Sequence, residues 1–248
     1  MTEPSRPSGA YRVWAAAVLG LALLGAAAIV SRAMERLRRA GDEITVTGSA
    51  KRPITSDLAT WQGTVEIQRA TLPEAAAELE RHAARVRRFI VERGFPDSLV
   101  GVSAISSNTV REYVQGEASN RVLGYRMSQT VAVTSSDIAR VTALSQAAGS
   151  LLAEGVPLSP QAPQYLFTRL ADLRIAMLGD ATEDARSRAQ QIAERSGGRI
   201  GRIKSVRQGV FQITPRNSTE ISDYGMNDVG AIDKDITAVV RVTFALEE

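Results

Sequence analysis

One apolar run near the N-terminus, Val13–Val30, constrains this chain more than any other feature of its sequence. Its 18 residues carry no charge, and as a helix they would extend about 27 Å at the standard rise per residue. That length nearly matches the roughly 30 Å hydrocarbon core of a bilayer. Tyr11 and Trp14 lie at its start, where aromatic side chains favour the headgroup region. The run therefore predicts a transmembrane helix, with residues 1–12 as a cytoplasmic-side tail.

A cleaved signal peptide is the alternative interpretation of this segment. Arg6 and Arg12 would precede the apolar part, and the three alanines at 26–28 would form a small-residue cleavage site. Two features favour retention. The apolar run extends past that site to Val30, and a helical pattern with basic residues in its last turn continues over 31–41.

This layout predicts where the protein lies. Residues 13–40 would form the transmembrane helix and its basic juxtamembrane extension, and residues 41–248 the folded domain. We expect a single-pass protein of the inner membrane with that domain in the periplasm, or a free periplasmic protein if the segment is cleaved. Basic residues flank the apolar run on both sides, so charge alone does not fix the topology.

The distribution of charge argues against nucleic acid as a partner. The net charge of +3 comes from residues 1–40, where six arginines face two glutamates; residues 41–248 carry 24 basic and 25 acidic side chains. Nucleic-acid binding would require a basic face on the folded domain itself. The absence of cysteine also excludes disulfides, thiolate zinc sites and a cysteine nucleophile.

Periodicity predicts alternating strands and helices in the folded domain. Residues 44–47 read as a strand, and residues 59–68 as a half-buried one whose inward face holds Ala59, Trp61, Gly63, Val65 and Ile67. Thr71 would cap a helix ending at Gly94, with a buried stripe of Leu79, Ala83, Val86 and Ile90. Two strands, about 99–113 and 121–134, follow; in the second, one face would hold Leu123, Tyr125, Met127, Val131 and Val133.

The second half continues this pattern. We predict a helix that residues 135–137 cap and that runs to about 149, an extended segment over 156–168, a strand over 200–214 and a final alternating strand over 236–246. A long helix over 169–196 would bury Leu170, Leu173, Met177, Ala181, Ala185, Ala189 and Ile192. The resulting order indicates an α+β fold of antiparallel sheets with helices packed on one face. Two βα lobes, about 44–134 and 135–248, would follow the N-terminal transmembrane helix.

The sequence contains no recognisable catalytic constellation. His82 is the only histidine, and helical periodicity places it beside arginines on or next to a polar face, so a solvated residue is the favoured interpretation. The glycine-rich stretch 196–201 follows a helix and precedes a strand, the reverse of a phosphate-binding loop, and we interpret it as a helix C-cap. Trp61, Tyr125 and Phe244 lie on apolar strand faces, which favours core packing over an aromatic binding patch. We therefore expect no catalytic, cofactor-binding or metal residues and no enzyme activity.

The connection 215–235 is the best candidate for a functional segment. Long loops in compact domains are usually functional or disordered. Its polar residues could contact a partner or subunit, hold a cation, or simply be solvated, although their spacing does not match an EF-hand. The candidate interaction residues are Asn217, Ser218, Asp223, Tyr224, Asn227 and Asp228.

Four segments in order resemble the SIMPL domain family, also called DUF541. They are ITVTGSA (44–50), GYRMSQTVAVTSSDIARV (124–141), DARSRAQQIAERSGGRIGRIKSV (184–206) and ITAVVRVTFAL (236–246). The stretches TGSAKRPITSDLATWQG and ITPRNSTEISDYGMND resemble a membrane-anchored branch.

This resemblance implies an exported α+β domain with two βα lobes, a tendency to assemble into rings and a link to envelope stress. It supplies no reaction and no catalytic residues. From it and the residues together, we expect a membrane-tethered, homo-oligomeric protein of the cell envelope with a structural role. The alternative is an envelope module that binds a small ligand or a cation through the 215–235 loop.

Overall fold

This computed structural model describes residues 42–114, 117–220 and 222–247, together with isolated positions between residues 14 and 31. The predicted transmembrane segment, Val13–Val30, and its basic extension to residue 40 lie outside the continuously described residues. Among the helices of the described part, none has both the length and the apolar character required to cross a bilayer.

The predicted α+β class is confirmed for the described residues, which form antiparallel and mixed sheets with a few helices. A short 3₁₀ helix at Asp97–Leu99 precedes the third strand. The remaining elements, in chain order, are β1 Glu43–Thr55, β2 Leu58–Arg69, α1 Leu72–Glu92, β3 Val100–Val102, β4 Ser106–Val114, β5 Glu117–Ser135, α2 Ile138–Ala147, α3 Gly149–Ala153, β6 Leu158–Pro160, β7 Gln164–Leu166, α4 Leu170–Arg195, β8 Arg199–Gln208, β9 Gln212–Pro215, β10 Met226–Asn227 and β11 Asp233–Glu247.

These elements divide into two compact units whose bounds differ from the predicted lobes, about 44–134 and 135–248. Of the described residues, unit one contains those up to Ser49, Leu178–Gly209 and those from Val239 onward; unit two contains those within Ala50–Met177 and Val210–Ala238. The order of elements along the chain could not indicate this division, because each unit combines segments that are distant in sequence.

In unit two, β2 and β5 form the centre of a six-stranded antiparallel sheet. They pair from Ala59 opposite Ser135 to Arg69 opposite Tyr125. Strands β3 and β4 pair with β5, and β6 and β7 pair with β2. The predicted inward face of β2 is confirmed, since its alternate residues from position 59 to 67 are all buried.

Helix α1 covers this sheet by packing on β2 and β5. Thr71 caps its start, where the hydroxyl oxygen accepts the N–H of Glu74 at 3.4 Å. Gly94, at φ 84°, follows its end. The predicted stripe is confirmed, and Phe89 joins it in a core that α2 and α3 complete.

The predicted apolar face of β5 is only partly buried. Met127, Val131 and Val133 lie in the core, but Leu123 is 50% exposed and Tyr125 is half-buried. The reason is that β2 ends opposite Tyr125, so earlier residues of β5 pair only with β4. The core-facing part of β5 thus begins later than the apolar pattern suggests.

In unit one, β11 lies between β1 and β8, and α4 packs against the sheet through alanines. The Oγ1 atoms of Thr45 on β1 and Thr243 on β11 lie 2.9 Å apart, and β8 runs antiparallel to β11 on its other side. The fully buried residues of α4 in this unit are Ala181, Ala185, Ala189 and Ala193. The predicted position of Ile192 in the stripe is wrong, because Ile192 is 52% exposed and Ala193 takes the inward place.

Gly48 marks a close approach between β1 and α4. A Cβ atom at Gly48 would meet the carbonyl oxygen of Ala181 and would lie 2.5 Å from the nitrogen of Ala185. One residue further along β1, the N–H of Ser49 donates to the carboxylate of Asp184 at 2.8 Å. Only a residue without a side chain lets the helix lie this near the strand.

The single strand predicted over 200–214 is in fact two strands. Strand β8 ends at Gln208 and β9 begins at Gln212. Gly209 follows β8 and donates its N–H to the carbonyl of Val239 at 2.8 Å. Glycine packs no side chain and often marks such an interruption, and an apolar pattern continuing across it concealed the break.

Candidate functional site

The connection between β9 and β11 is more ordered than the structureless loop that the sequence predicts. Within it, β10 pairs in parallel with β9, placing Met226 opposite Gln212 and Asn227 opposite Ile213. The N–H of Asp228 then donates to the carbonyl of Ile213 at 2.9 Å. Every described part of this connection belongs to unit two.

At its start, the connection is anchored to Asp235. The N–H of Asn217, a residue in the left-handed region at φ 63°, donates to the Asp235 carboxylate at 3.1 Å. Lys51 on β1 places its ammonium 2.9 Å from the same carboxylate. The bond from Lys51 makes the larger contribution to lowering the pKa of Asp235, and the bond from Asn217 lowers it further. Ser218 continues the turn by donating its N–H to the carbonyl of Pro215 at 3.0 Å.

At its end, the connection closes around a buried lysine. The side chain of Lys234 is 2% exposed, and its ammonium donates to the backbone carbonyls of Tyr165 at 2.6 Å and Asp228 at 2.5 Å. The carboxylate of Asp228 lies 3.7 Å away. Burial lowers the pKa of Lys234, and the nearby Asp228 carboxylate opposes that effect. Lys234 thus ties the end of the loop to β7.

Asp228 has few oxygen lone pairs left for an external cation. Its carboxylate accepts the N–H of Gly230 at 3.2 Å and that of Ala231 at 2.9 Å, in addition to facing Lys234. Across the described residues, no group of three or more histidine, aspartate or glutamate side chains is placed to hold a metal ion.

A turn in the middle of the connection presents Tyr224 to solvent. Tyr224 is 96% exposed, and its N–H donates to the hydroxyl of Ser222 at 3.3 Å. The N–H of Gly225, at φ 85°, donates to the carbonyl of Ser222 at 3.1 Å. The same carbonyl accepts the side-chain amide of the buried Gln212 at 2.6 Å. These bonds hold the turn, so Tyr224 projects from an ordered support.

The six residues predicted as an interaction loop therefore fall into two groups. Asn217, Ser218 and Asp228 take part in bonds that organise the connection itself. Asp223, Tyr224 and Asn227 are exposed, and so is Asn217, whose N–H nevertheless anchors the start of the connection. The structure does not bring all six together as one site; it presents the second group on the surface.

The sequence interpretation missed the role of Lys234, although the pattern contained a signal. Lys234 lies on the same face of β11 as the buried residues Ile236, Ala238 and Val240, because it precedes them at the two-residue spacing of a strand. Extending the alternation two residues back would have placed it inward. Its neighbours are both aspartates, which made the segment resemble a solvated charge cluster instead.

His82 is half-buried on α1, less exposed than the solvated residue that the sequence predicts. Its Nε2 atom lies 3.7 Å from a carboxylate oxygen of Glu78, one turn earlier on α1. Glu78 also pairs with Arg69. The aromatic residues Trp61 and Phe244 are fully buried, which confirms core packing for both.

Residues 44–244 match the family model described as SIMPL, protein of unknown function (DUF541). No curated protein matches the chain.

Two solved structures show a weak likeness to part of the chain. A hydantoinase/carbamoylase family amidase from Burkholderia ambifaria is 14% identical, with a TM-score of 0.26, and the match covers 53% of this chain and 35% of the amidase. An amidase of the same family from Burkholderia multivorans is also 14% identical, with a TM-score of 0.25, over 48% of this chain and 28% of the other. This chain thus spans about a third of the length of those proteins, and such scores carry no statement about its activity.

Proposed function

Because this chain belongs to the SIMPL family, whose function is unknown, we propose that it is a membrane-tethered protein of the cell envelope that assembles with further copies of itself. The assembly serves a structural role under envelope stress, without catalysis. Its folded domain lies in the periplasm, held to the inner membrane by residues 13–40.

The exposed turn at Tyr224 is the observation that best supports self-assembly. A tyrosine that is 96% exposed has no packing role in its own chain. Tyrosine is enriched among the residues that dominate binding energy at interfaces, since it buries a large area at a low entropic cost. The bonds from Gln212 and Ser222 order the turn in advance, which reduces the entropy lost on binding.

The tether is supported by the sequence that precedes the first strand. The apolar run Val13–Val30 has the length of a bilayer core. Four arginines follow it before β1 begins at Glu43. The folded part has nearly balanced charge, so the basic excess is confined to this membrane-proximal stretch.

The proposal of a non-enzymatic role is supported by the surroundings of the only histidine. Glu78, the acidic neighbour of His82, is already paired with Arg69. Neither residue belongs to the ordered connection that carries Tyr224.

Self-assembly is tested by replacing Tyr224 in the full-length protein. We expect Tyr224→Ala to lower the oligomer mass measured by mass photometry in a mild detergent, with an affinity loss of about tenfold or more. Tyr113→Ala is the matched control, because Tyr113 is an exposed tyrosine on β4 at 72% exposure, and it should leave assembly unchanged. A wild-type protein that stays monomeric at high concentration, or equal losses in both variants, would reject the proposal.

A cysteine substitution sharpens the same test. The chain has no native cysteine, so Tyr224→Cys introduces the only thiol. Oxidation should give a disulfide-linked dimer if position 224 lies near its counterpart in a second copy. If no such dimer forms, and a small molecule or cation raises the melting temperature of the protein, the small-ligand alternative would be favoured.

The tether is tested by the mass of the mature protein. An intact N-terminus in the membrane fraction, resistant to alkaline extraction, is the expected result. A product that begins near residue 29 in the soluble periplasmic fraction would show cleavage and remove the tether from the proposal.

A further inference from the structure

Two arginines lie directly opposite each other on the open face of the unit-one sheet. In the antiparallel pairing of β8 with β11, Arg207 is the register partner of Arg241. Both side chains are exposed. Their neighbours in sequence, Val242 and Val206, are paired on the opposite face, where Val242 is fully buried. The two guanidinium groups therefore share one side of the sheet.

This arrangement is unfavourable without a counterion. Directly opposed residues of an antiparallel pair have Cβ atoms about 4.5–5.5 Å apart, and like charges there are destabilising. Within the described ranges, neither guanidinium has a hydrogen bond or an ion pair. By contrast, Lys204 on the same strand is paired with Glu43 at 3.5 Å.

Protection of the sheet edge explains only one of the two charges. Basic side chains on an edge strand discourage pairing with other chains, and β8 pairs only with β11 among the described strands. Arg241, however, lies on β11, which has a strand on both sides in this unit. An inner strand needs no such protection, so Arg241 calls for another explanation.

We propose that Arg207 and Arg241 together bind a phosphate group. Each guanidinium can donate two parallel hydrogen bonds to phosphate oxygens, and two of them around one group neutralise its charge. The next pair on the same face, Ser205 opposite Thr243, adds hydroxyl groups beside the site. The phosphate belongs either to a soluble phosphorylated compound or to a phospholipid headgroup, which have this chemistry in common. This inference does not depend on the proposed self-assembly.

The site is tested by titrating inorganic phosphate into the full-length protein in a detergent that contains no phosphate. We expect a saturable rise in melting temperature, which sodium chloride at equal ionic strength does not reproduce. Arg207→Gln with Arg241→Gln should weaken binding by at least about tenfold. The matched control, Arg81→Gln with Arg88→Gln, removes two exposed arginines of α1 and should retain wild-type affinity.

The melting temperature of a single variant provides a second test, which does not depend on the fold of the double variant. Arg241→Gln alone removes the repulsion, so in phosphate-free, low-salt buffer its melting temperature should equal or exceed that of the wild type. A lower melting temperature, no saturable effect of phosphate, or equal losses in the two double variants would overturn the proposal.

The source of the phosphate is then found by repeating the titration in phosphatidylglycerol nanodiscs. Weaker binding of inorganic phosphate than in detergent would show that headgroups compete for the site. Equal binding in both would assign the site to a soluble phosphorylated compound.

Discussion

The two units achieve close packing in opposite ways. Unit two fills its interior with large side chains, among them Trp61, Phe89 and Leu144, which are all fully buried. Unit one brings α4 onto its sheet through four alanines, with Gly48 under the helix. Unit one also buries Phe244 fully, but at Gly48 its helix and strand lie close together because no side chain separates the two backbones.

This difference determines which substitutions each unit should tolerate. A core of large side chains loses most when atoms are removed, because a cavity remains. A helix seated on glycine and alanine loses most when atoms are added, since the backbone must move to make room. Substitutions that remove atoms and substitutions that add them should therefore have different costs in the two units.

The largest effect is expected at the polar interior of unit two. Lys234→Met removes the ammonium that bonds the carbonyls of Tyr165 and Asp228 and faces the Asp228 carboxylate. Breaking a buried pair by removing one partner costs about 3–5 kcal/mol. Urea unfolding of the full-length protein in detergent, followed by the change in tryptophan fluorescence as buried Trp61 becomes exposed, measures this loss against the constant background of Trp14.

Lys51→Met is the control for Lys234→Met. Lys51 also pairs with an aspartate, but its side chain is about half exposed, so the cost should be at most about 1 kcal/mol. Equal costs in the two variants would contradict the structural role assigned to Lys234.

The next largest effect is expected when a glycine of each unit is replaced by alanine. Gly48→Ala in unit one would place a Cβ against the backbone of Ala181 and Ala185, and overpacking of this kind costs about 1–3 kcal/mol or more. Gly63→Ala in unit two would instead meet the side-chain end of Leu158 at 2.7 Å. That side chain can rotate away, so we expect a smaller loss of unfolding free energy for Gly63→Ala. The reverse order would contradict the contrast between the two interiors.

The same contrast explains which parts of the fold the sequence could predict. Where large apolar residues alternate or recur at helical spacing, as on β2 and α1, the predicted faces are confirmed. On α4 the pattern favoured Ile192 because it is the more apolar residue, while the buried position belongs to the small Ala193. A hydrophobic pattern therefore predicts the buried face better where large apolar side chains fill the interior than where alanine and glycine allow two backbones to lie close together.

The candidate site shows a related limit. The sequence located the 215–235 connection and its polar residues, but their separation into organising and exposed groups depends on bonds to distant residues. Lys51 lies far from Asp235 in sequence, and Tyr165 lies far from Lys234. Local spacing contains no information about such partners. The bounds of the two units differ from those of the two predicted lobes for the same reason, because each unit combines segments that are distant in sequence.

Lowering the pH should weaken the bonds that Asp235 accepts at the start of the 215–235 connection. The pKa of Asp235 is lowered below its ordinary value of 3.8, so the folded chain binds fewer protons there than the unfolded chain. Its contribution to stability is therefore complete above about pH 3.8 and is lost as the pH falls through the folded-state pKa. We expect Asp235→Asn to lower the unfolding free energy by about 1 kcal/mol at neutral pH.

The pH profile distinguishes this effect from a general structural defect. The difference between Asp235→Asn and the wild type should narrow as the pH falls below 3.8, because the wild-type carboxylate then becomes neutral as well. Asp223→Asn, at an exposed position of the same connection, should stay within about 0.5 kcal/mol of the wild type. A gap for Asp235→Asn that is constant with pH would show that the charge is not responsible.

The smallest effect tests the face of α4 directly. Ile192 is 52% exposed and Ala193 is fully buried, so Ile192→Ala should change the unfolding free energy by no more than about 0.5 kcal/mol. If Ile192 belonged to the buried stripe, as its hydrophobicity suggests, the same truncation would cost about 2–5 kcal/mol. Ala193→Leu should show the opposite sensitivity, a loss of about 1–3 kcal/mol, because the added atoms have no space beneath the helix. Urea unfolding of both variants decides between the two faces, since each interpretation predicts a large effect where the other predicts almost none.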